Sequence, residues 1–136
     1  MTKIIETAGR VMRWHKRTFP DVDFEGQHSK WLEELWEFKA VYTRFSRRSR
    51  WFVRKKVPGY RKKEALLELA DMYIVAIGMF RYSTITAIRM LIRIFLMTAV
   101  SFTLKEVICG IEDKLIINKR RTWYKKKGVY KHPNLF

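Results

Sequence analysis

Residues 64–80 read Glu64-Ala-Leu-Leu-Glu68-Leu-Ala-Asp71-Met-Tyr-Ile-Val-Ala-Ile-Gly78-Met-Phe80. Leu66, Ala70, Tyr73 and Ile77 recur at spacings of four, three and four, so they share one face of a helix. Glu64, Glu68 and Asp71 form a row on another side, which continues as Met72, Val75 and Met79. A helix that is apolar nearly all round is a buried one. A buried carboxylate needs a partner, yet no Lys or Arg lies between Glu64 and Phe80.

The same arrangement stands upstream. Around 31–38, Leu32, Leu35 and Trp36 fall in one stripe, while Glu33, Glu34 and Glu37 gather nearly opposite, again with no base between Trp31 and Phe38. Six of the chain's 13 acids occupy these two windows, although Lys and Arg number 29 and the net charge is +16. Like charges at helical neighbour spacing repel unless a cation lies among them. The rows contain neither Cys nor His, which favours Mg²⁺ or Mn²⁺ over zinc. The bland alternatives are a solvated face for Glu33, Glu34 and Glu37, and an Arg or Lys from another helix for Glu68 and Asp71.

The rest of the chain is read around these helices. With 136 residues, 48% hydrophobic, it is expected to form a single domain spanning 1–136. Few glycines and prolines and no Asn-Gly or Asp-Gly turn predict an all-α fold, a bundle of four or five helices. The first should cover about 2–18 and stop before Pro20. A second should begin near Gln27 or His28 and run, bent or broken, to about Lys56, where Val57-Pro58-Gly59 ends it. A third should span 61–82. Ser83 or Thr84 should cap a fourth over 85–97, with a last helix ending near Arg121 and a basic tail from about 122. The boundary at 97–101 is open.

Arg89 and Arg93 interrupt the greasy stretch 85–102 and argue against a membrane span. The N-terminus lacks the layout of a secretory signal, which predicts a cytoplasmic protein. Cys109, the single cysteine, is expected to pack among Val107, Ile108 and Ile111. Arg44, Arg47, Arg48, Arg50, Arg54, Lys55, Lys56, Arg61, Lys62 and Lys63 form an acid-free block suited to anionic partners.

Taken together, Glu33-Glu34-Leu-Trp-Glu37 followed by Glu68-Leu-Ala-Asp71 resembles the EExxE…ExxD signature of the MazG-like, all-α nucleoside triphosphate pyrophosphatases. Gln27-His-Ser-Lys30-Trp-Leu resembles the family's lead into its first acidic helix. Lys114-Leu-Ile-Ile-Asn118-Lys-Arg-Arg121-Thr-Trp123 resembles the close of its shorter, often phage-encoded members. Two features depart from the pattern: the 30 residues between Glu37 and Glu68, and a long apolar 83–104.

The resemblance implies Mg²⁺-dependent hydrolysis of (deoxy)nucleoside triphosphates between the α and β phosphates, giving a monophosphate and pyrophosphate, in a homodimer or homotetramer. It implies that Glu34, Glu37, Glu68 and Asp71 hold the metal, with Glu33 and Glu34 the catalytic carboxylates of the first row, Glu33 orienting or deprotonating water. Gln27, Lys30, Lys114, Asn118 and Arg121 are then candidates for the substrate, with Trp31 and Trp123 to stack on a base or to serve as core. If phage-encoded, the protein would act in the host cytoplasm. Two rivals stand beside it: a basic nucleic-acid-binding protein without catalysis, and an interaction protein that pairs through 85–102.

Overall fold

The computed structural model describes residues 2–51, 59–126 and 129–132, with the side chains of 43–51, 59–61, 125–126 and 129–130 left aside. The described chain is an all-α bundle of five helices: α1 (Thr2–Thr18), α2 (Phe24–Trp51), α3 (Gly59–Gly78), α4 (Thr84–Thr98) and α5 (Leu104–Arg120). A single 3₁₀ turn, Met79–Arg81, follows α3. No described helix is long and apolar enough to cross a membrane.

At the centre stands α3, packed against α1, α2, α4 and α5. Ala65, Leu69, Met72, Ala76 and Met79 are fully buried at alternating spacings of four and three, and Ala70, Ile74, Val75 and Ile77 close its other sides. This is the buried helix that its all-round apolar sequence predicts. Phe38 from α2, Val11 from α1 and Ile94 from α4, each at 0% exposure, pack around it. Gly110 lets α5 approach, since a Cβ there would lie 3.1 Å from Leu66 Cγ.

Caps set several boundaries. Asp23 Oδ1 accepts the amide of Gly26 at 2.8 Å, which starts α2 at Phe24, three residues ahead of the expected Gln27. Ser83 caps α4 by accepting from Thr86 N. The open boundary resolves as a break: the amides of Ser101 and Phe102 turn back onto Thr98 O, and Thr103 with Glu106 forms a capping box that begins α5. Tyr42 of α2 locks this corner, its hydroxyl 2.7 Å from Ser101 Oγ and donating to Met97 O at 3.2 Å.

Four expectations are corrected. The basic tail carries a two-stranded antiparallel hairpin, β1 (Tyr124–Lys126) and β2 (Val129–Lys131), in the register Tyr124↔Lys131. It has no Asn-Gly or Asp-Gly turn in the sequence to announce it. In α2 the buried stripe is Trp31, Leu35 and Phe38, with Glu34 turned inward beside them, whereas Leu32 and Trp36 are exposed. The helix is rotated so that a carboxylate faces α3. Cys109 is exposed, on the outward side of α5 from Val107 and Ile111. The third helix ends at Gly78 and not near Tyr82. The expected stop at Val57-Pro58-Gly59 and most of the basic block 44–63 fall outside the described residues or side chains; Lys62 pairs with Glu106 at 2.8 Å.

The outer face of α4 carries Ile85, Ile88, Ile92, Phe95 and Leu96, all exposed, in one continuous stripe with Arg89 and Arg93 at its edge. The opposite face, Ala87, Met90, Ile94 and Thr98, is the one packed inward.

Candidate metal centre

Rotation of α2 and the central position of α3 bring the two acidic rows together. Glu34, Glu37 and Glu68 each offer a carboxylate oxygen to a common centre, all within 4.8 Å of one another. Glu34 is 6% exposed, Glu68 is half-buried and Glu37 lies open at the rim. Asp71 sits one turn beyond Glu68 in the same cleft, together with Glu33. Glu64, although part of the row by spacing, is exposed and lines no part of it.

Cations reach this cleft from outside the acidic runs. Lys30, one turn before Glu34, places Nζ 3.1 Å from its Oε1. Lys114 of α5 lies 3.0 Å from Asp71 Oδ2, with both side chains nearly buried. Lys131 of β2 donates to Glu33 Oε1 at 3.2 Å, so the hairpin closes one wall. The alternative of a partner from another helix therefore holds for Asp71. For Glu68 no such partner is found among the described residues: its Oε2 and the Oε2 of Glu34 are buried and make no hydrogen bond there.

The electrostatics follow. Burial, then the charge of Asp71, pushes Glu34 up to about 7, against the pull of Lys30. Burial, then Asp71 and Glu34, pushes Glu68 up to about 7 as well. Glu37 is raised by burial and by Glu34. Asp71 is raised by burial although Lys114 opposes it. Burial disfavours charge on Lys30, but Glu34 and Glu33 outweigh it and its pKa rises. Lys30 is held charged, yet the carboxylates remain short of positive charge. An oxygen-only donor set with two orphaned buried oxygens suits a hard divalent cation such as Mg²⁺ or Mn²⁺.

A second cavity adjoins the cleft and shares Lys30, Glu34, Asp71, Arg121 and His132 with it. Trp14, Phe19 and Trp123 form an aromatic cluster on its wall, edge to face at centroid distances of 5.1–6.1 Å. Gln27 and Asn118, each 3% exposed, supply buried polar groups to it beside His15 and Glu34. Arg121 donates to Asn118 Oδ1 at 3.1 Å and contacts His132 Nε2 at 3.0 Å. Of the sequence candidates, only Trp31 reaches neither cavity; it is 3% exposed and belongs to the core.

Sequence reading missed a buried relay behind this cavity. Arg81 lies 2.9 Å from His15 Nδ1, His15 Nε2 lies 2.8 Å from Gln27 Oε1, and Gln27 Nε2 donates to Val75 O at 2.8 Å. Thr7, Val11, Trp14 and His15 make up the inward stripe of α1, and a histidine on such a stripe was the available signal. Gly78 is required where the relay meets α3, because a Cβ there would lie 2.8 Å from both Gln27 Nε2 and His15 Cδ2. Comparisons with protein-family models, curated proteins and solved structures give no match to this chain.

Proposed function

We propose that the chain is a Mg²⁺-dependent nucleoside triphosphate pyrophosphohydrolase of the MazG-like kind, cleaving between the α and β phosphates. The observation that carries this reading is the meeting of Glu34, Glu37 and Glu68 within 4.8 Å, two of them with buried, unpartnered oxygens. Glu34, Glu37 and Glu68, with Asp71 alongside, are the residues that would hold the metal. When bound, Mg²⁺ supplies Lewis-acid stabilisation of phosphate oxygens.

The chain's own residues do the rest. Lys30, Lys114, Arg121 and Lys131 line the cleft and oppose the negative charge of a polyphosphate. Arg121 offers a planar fork suited to a phosphate group. Glu33 faces the cleft, held by Lys131, and accepts the proton of the attacking water; Glu34, deeper in the cleft, is the second catalytic carboxylate and also one of the residues that would hold the metal. The exposed apolar stripe of α4 is where the expected homodimer or homotetramer would form.

The test is pyrophosphate release from the standard ribo- and deoxynucleoside triphosphates with Mg²⁺. Wild-type turnover that Glu37→Gln lowers at least a hundred-fold supports the reading. Absence of release from every substrate sinks it, and salt-sensitive oligonucleotide binding would then favour a nucleic-acid-binding role for the +16 charge.

A further inference from the structure

The Arg121 guanidinium lines both the acidic cleft and the aromatic cavity, and the way it is held defines what it can bind. The residue caps the end of α5 with extended backbone, so the chain leaves the helix there. Two acceptors hold the side chain, Asn118 Oδ1 at 3.1 Å and His132 Nε2 at 3.0 Å, and both meet the same nitrogen, Nη1. A guanidinium only donates, so His132 Nε2 accepts, and both hydrogens of Nη1 are engaged. The N–H groups on Nη2 and Nε have no partner among the described residues. That pair of nitrogens forms the edge that can take two oxygens of one phosphate side by side. The guanidinium also acts within the cleft: burial raises Asp71, and Lys114 and then Arg121 oppose that rise.

His132 owes its place to the hairpin. Its ring stands edge to face on Trp123, with 5.0 Å between centroids. Trp123 is fixed in turn, donating Nε1 to Asn118 O at 3.1 Å and packing edge to face on Trp14 and Phe19. On the other side Lys131, next in the chain, ties β2 to Glu33 of α2 at 3.2 Å. The strand pairing Tyr124↔Lys131 holds these two anchors in register. Aromatic packing therefore places an imidazole acceptor against a guanidinium that the end of α5 delivers to the cleft.

We propose that His132 is a positioning residue of a phosphate clamp: with Asn118 it grips Arg121 by Nη1 and keeps the Nη2 and Nε edge available for two oxygens of a substrate phosphate. The inference rests on the polyphosphate substrate of the enzyme reading above. Without the imidazole the guanidinium keeps its charge, but the phosphate itself must then order the side chain, which weakens binding. Lysine cannot stand in for Arg121 here, because an ammonium is a point charge without a fork.

Binding and turnover are measured separately on the full chain. Inorganic pyrophosphate is titrated calorimetrically in excess Mg²⁺, and KM and kcat are determined for the triphosphate that the wild type hydrolyses fastest. His132→Leu should weaken pyrophosphate about ten-fold and raise KM by a similar factor, with kcat changed far less. His132→Gln, which can present Oε1 near the place of Nε2, should recover most of that loss. In an Arg121→Lys background, His132→Leu should cost less than about two-fold, because the group it positions is gone. A hairpin that merely loses its fold would lower affinity in both backgrounds and would not respond to Gln. Unchanged affinity in His132→Leu, equal losses with Leu and Gln, an undiminished loss in the Arg121→Lys background, or no binding of pyrophosphate by the wild type overturns the proposal. Pyrophosphate binding that depends on His132, without release from any triphosphate, refutes the hydrolase and leaves the clamp. Release with a KM that His132→Leu does not alter does the reverse.

Discussion

Replacing Glu68 by Gln should stabilise the metal-free protein at pH 8 while abolishing most of its response to Mg²⁺. In the fold the Glu68 carboxyl keeps its proton to about 7, against 4.5 for the free group. A carboxyl raised on folding contributes stability that is present below pH 4.5 and is lost as the pH climbs through about 7. For a fully buried group that loss is about 3 kcal/mol. Glu68 is only half-buried, and solvent screening reduces the figure to about 1.5 kcal/mol. Glutamine keeps the shape and cannot ionise, so Glu68→Gln should recover that amount at pH 8 and almost none at pH 4.5.

The assay is urea unfolding of both proteins at pH 4.5 and pH 8 in EDTA, repeated at pH 8 in 10 mM Mg²⁺. His15 imposes an opposite slope, since its depressed pKa costs stability as the pH falls from 6.5 toward 4. That slope is common to both proteins and cancels in their difference. With a dissociation constant near 1 mM, Mg²⁺ should stabilise the wild type by about 1.4 kcal/mol and the variant by under about 0.5 kcal/mol. A purely structural Glu68 predicts destabilisation by Gln at both pH values. That outcome, or equal stabilisation of both proteins by Mg²⁺, would refute the reasoning.

Other consequences are simpler to measure. Gly78→Ala should drive a methyl into Gln27 and His15 and lower stability by about 1–3 kcal/mol in thermal melts, whereas the half-buried Gly9, whose Cβ would meet only the end of Arg13, should tolerate Ala far better. Cys109, being exposed, should react fully with a thiol reagent in the native protein within minutes, against the hours expected of a core thiol. Ile92→Arg should convert a sedimenting dimer or tetramer into a 16.5 kDa monomer without altering the helical circular dichroism. A wild type that already sediments as a monomer would show that the α4 stripe serves something else.

The parts of this fold legible in the sequence were those set by local periodicity. α1 over Thr2–Thr18 and the burial of α3 follow from apolar spacing alone. The rotation of α2 was not legible, because Leu32 and Trp36 are as apolar as Trp31 and Leu35, and only packing against α3 decides which pair turns inward. The carboxylates of the site could be named in advance since they stand in two short windows. The aromatic cavity could not, because it draws Trp14 and Phe19 from one end of the described chain and Trp123 from the other. The hairpin that brings Lys131 to Glu33 lies in a lysine-rich segment where alternation carries little signal.

Charge in the cleft is what would distinguish a metal centre from an ordinary ion-pair network. In a network, each acid is matched by a base and its pKa is drawn down. Glu34, Glu37, Glu68 and Asp71 make four carboxylates, and among the described residues the ammonium groups paired with them are two, Lys30 and Lys114, with the Arg121 guanidinium also acting on Asp71. Burial first, and then the charge of neighbouring carboxylates, raises Glu34, Glu37 and Glu68, and burial raises Asp71 against Lys114 and Arg121, so the cleft is one that a divalent cation would suit. A chain carrying +16 could have supplied further lysines to this cleft, as it does for Glu112, which meets both Lys3 and Arg10. It leaves buried oxygens of Glu34 and Glu68 without a hydrogen-bond partner among the described residues instead, an arrangement that costs stability in the free protein and that a bound cation would offset.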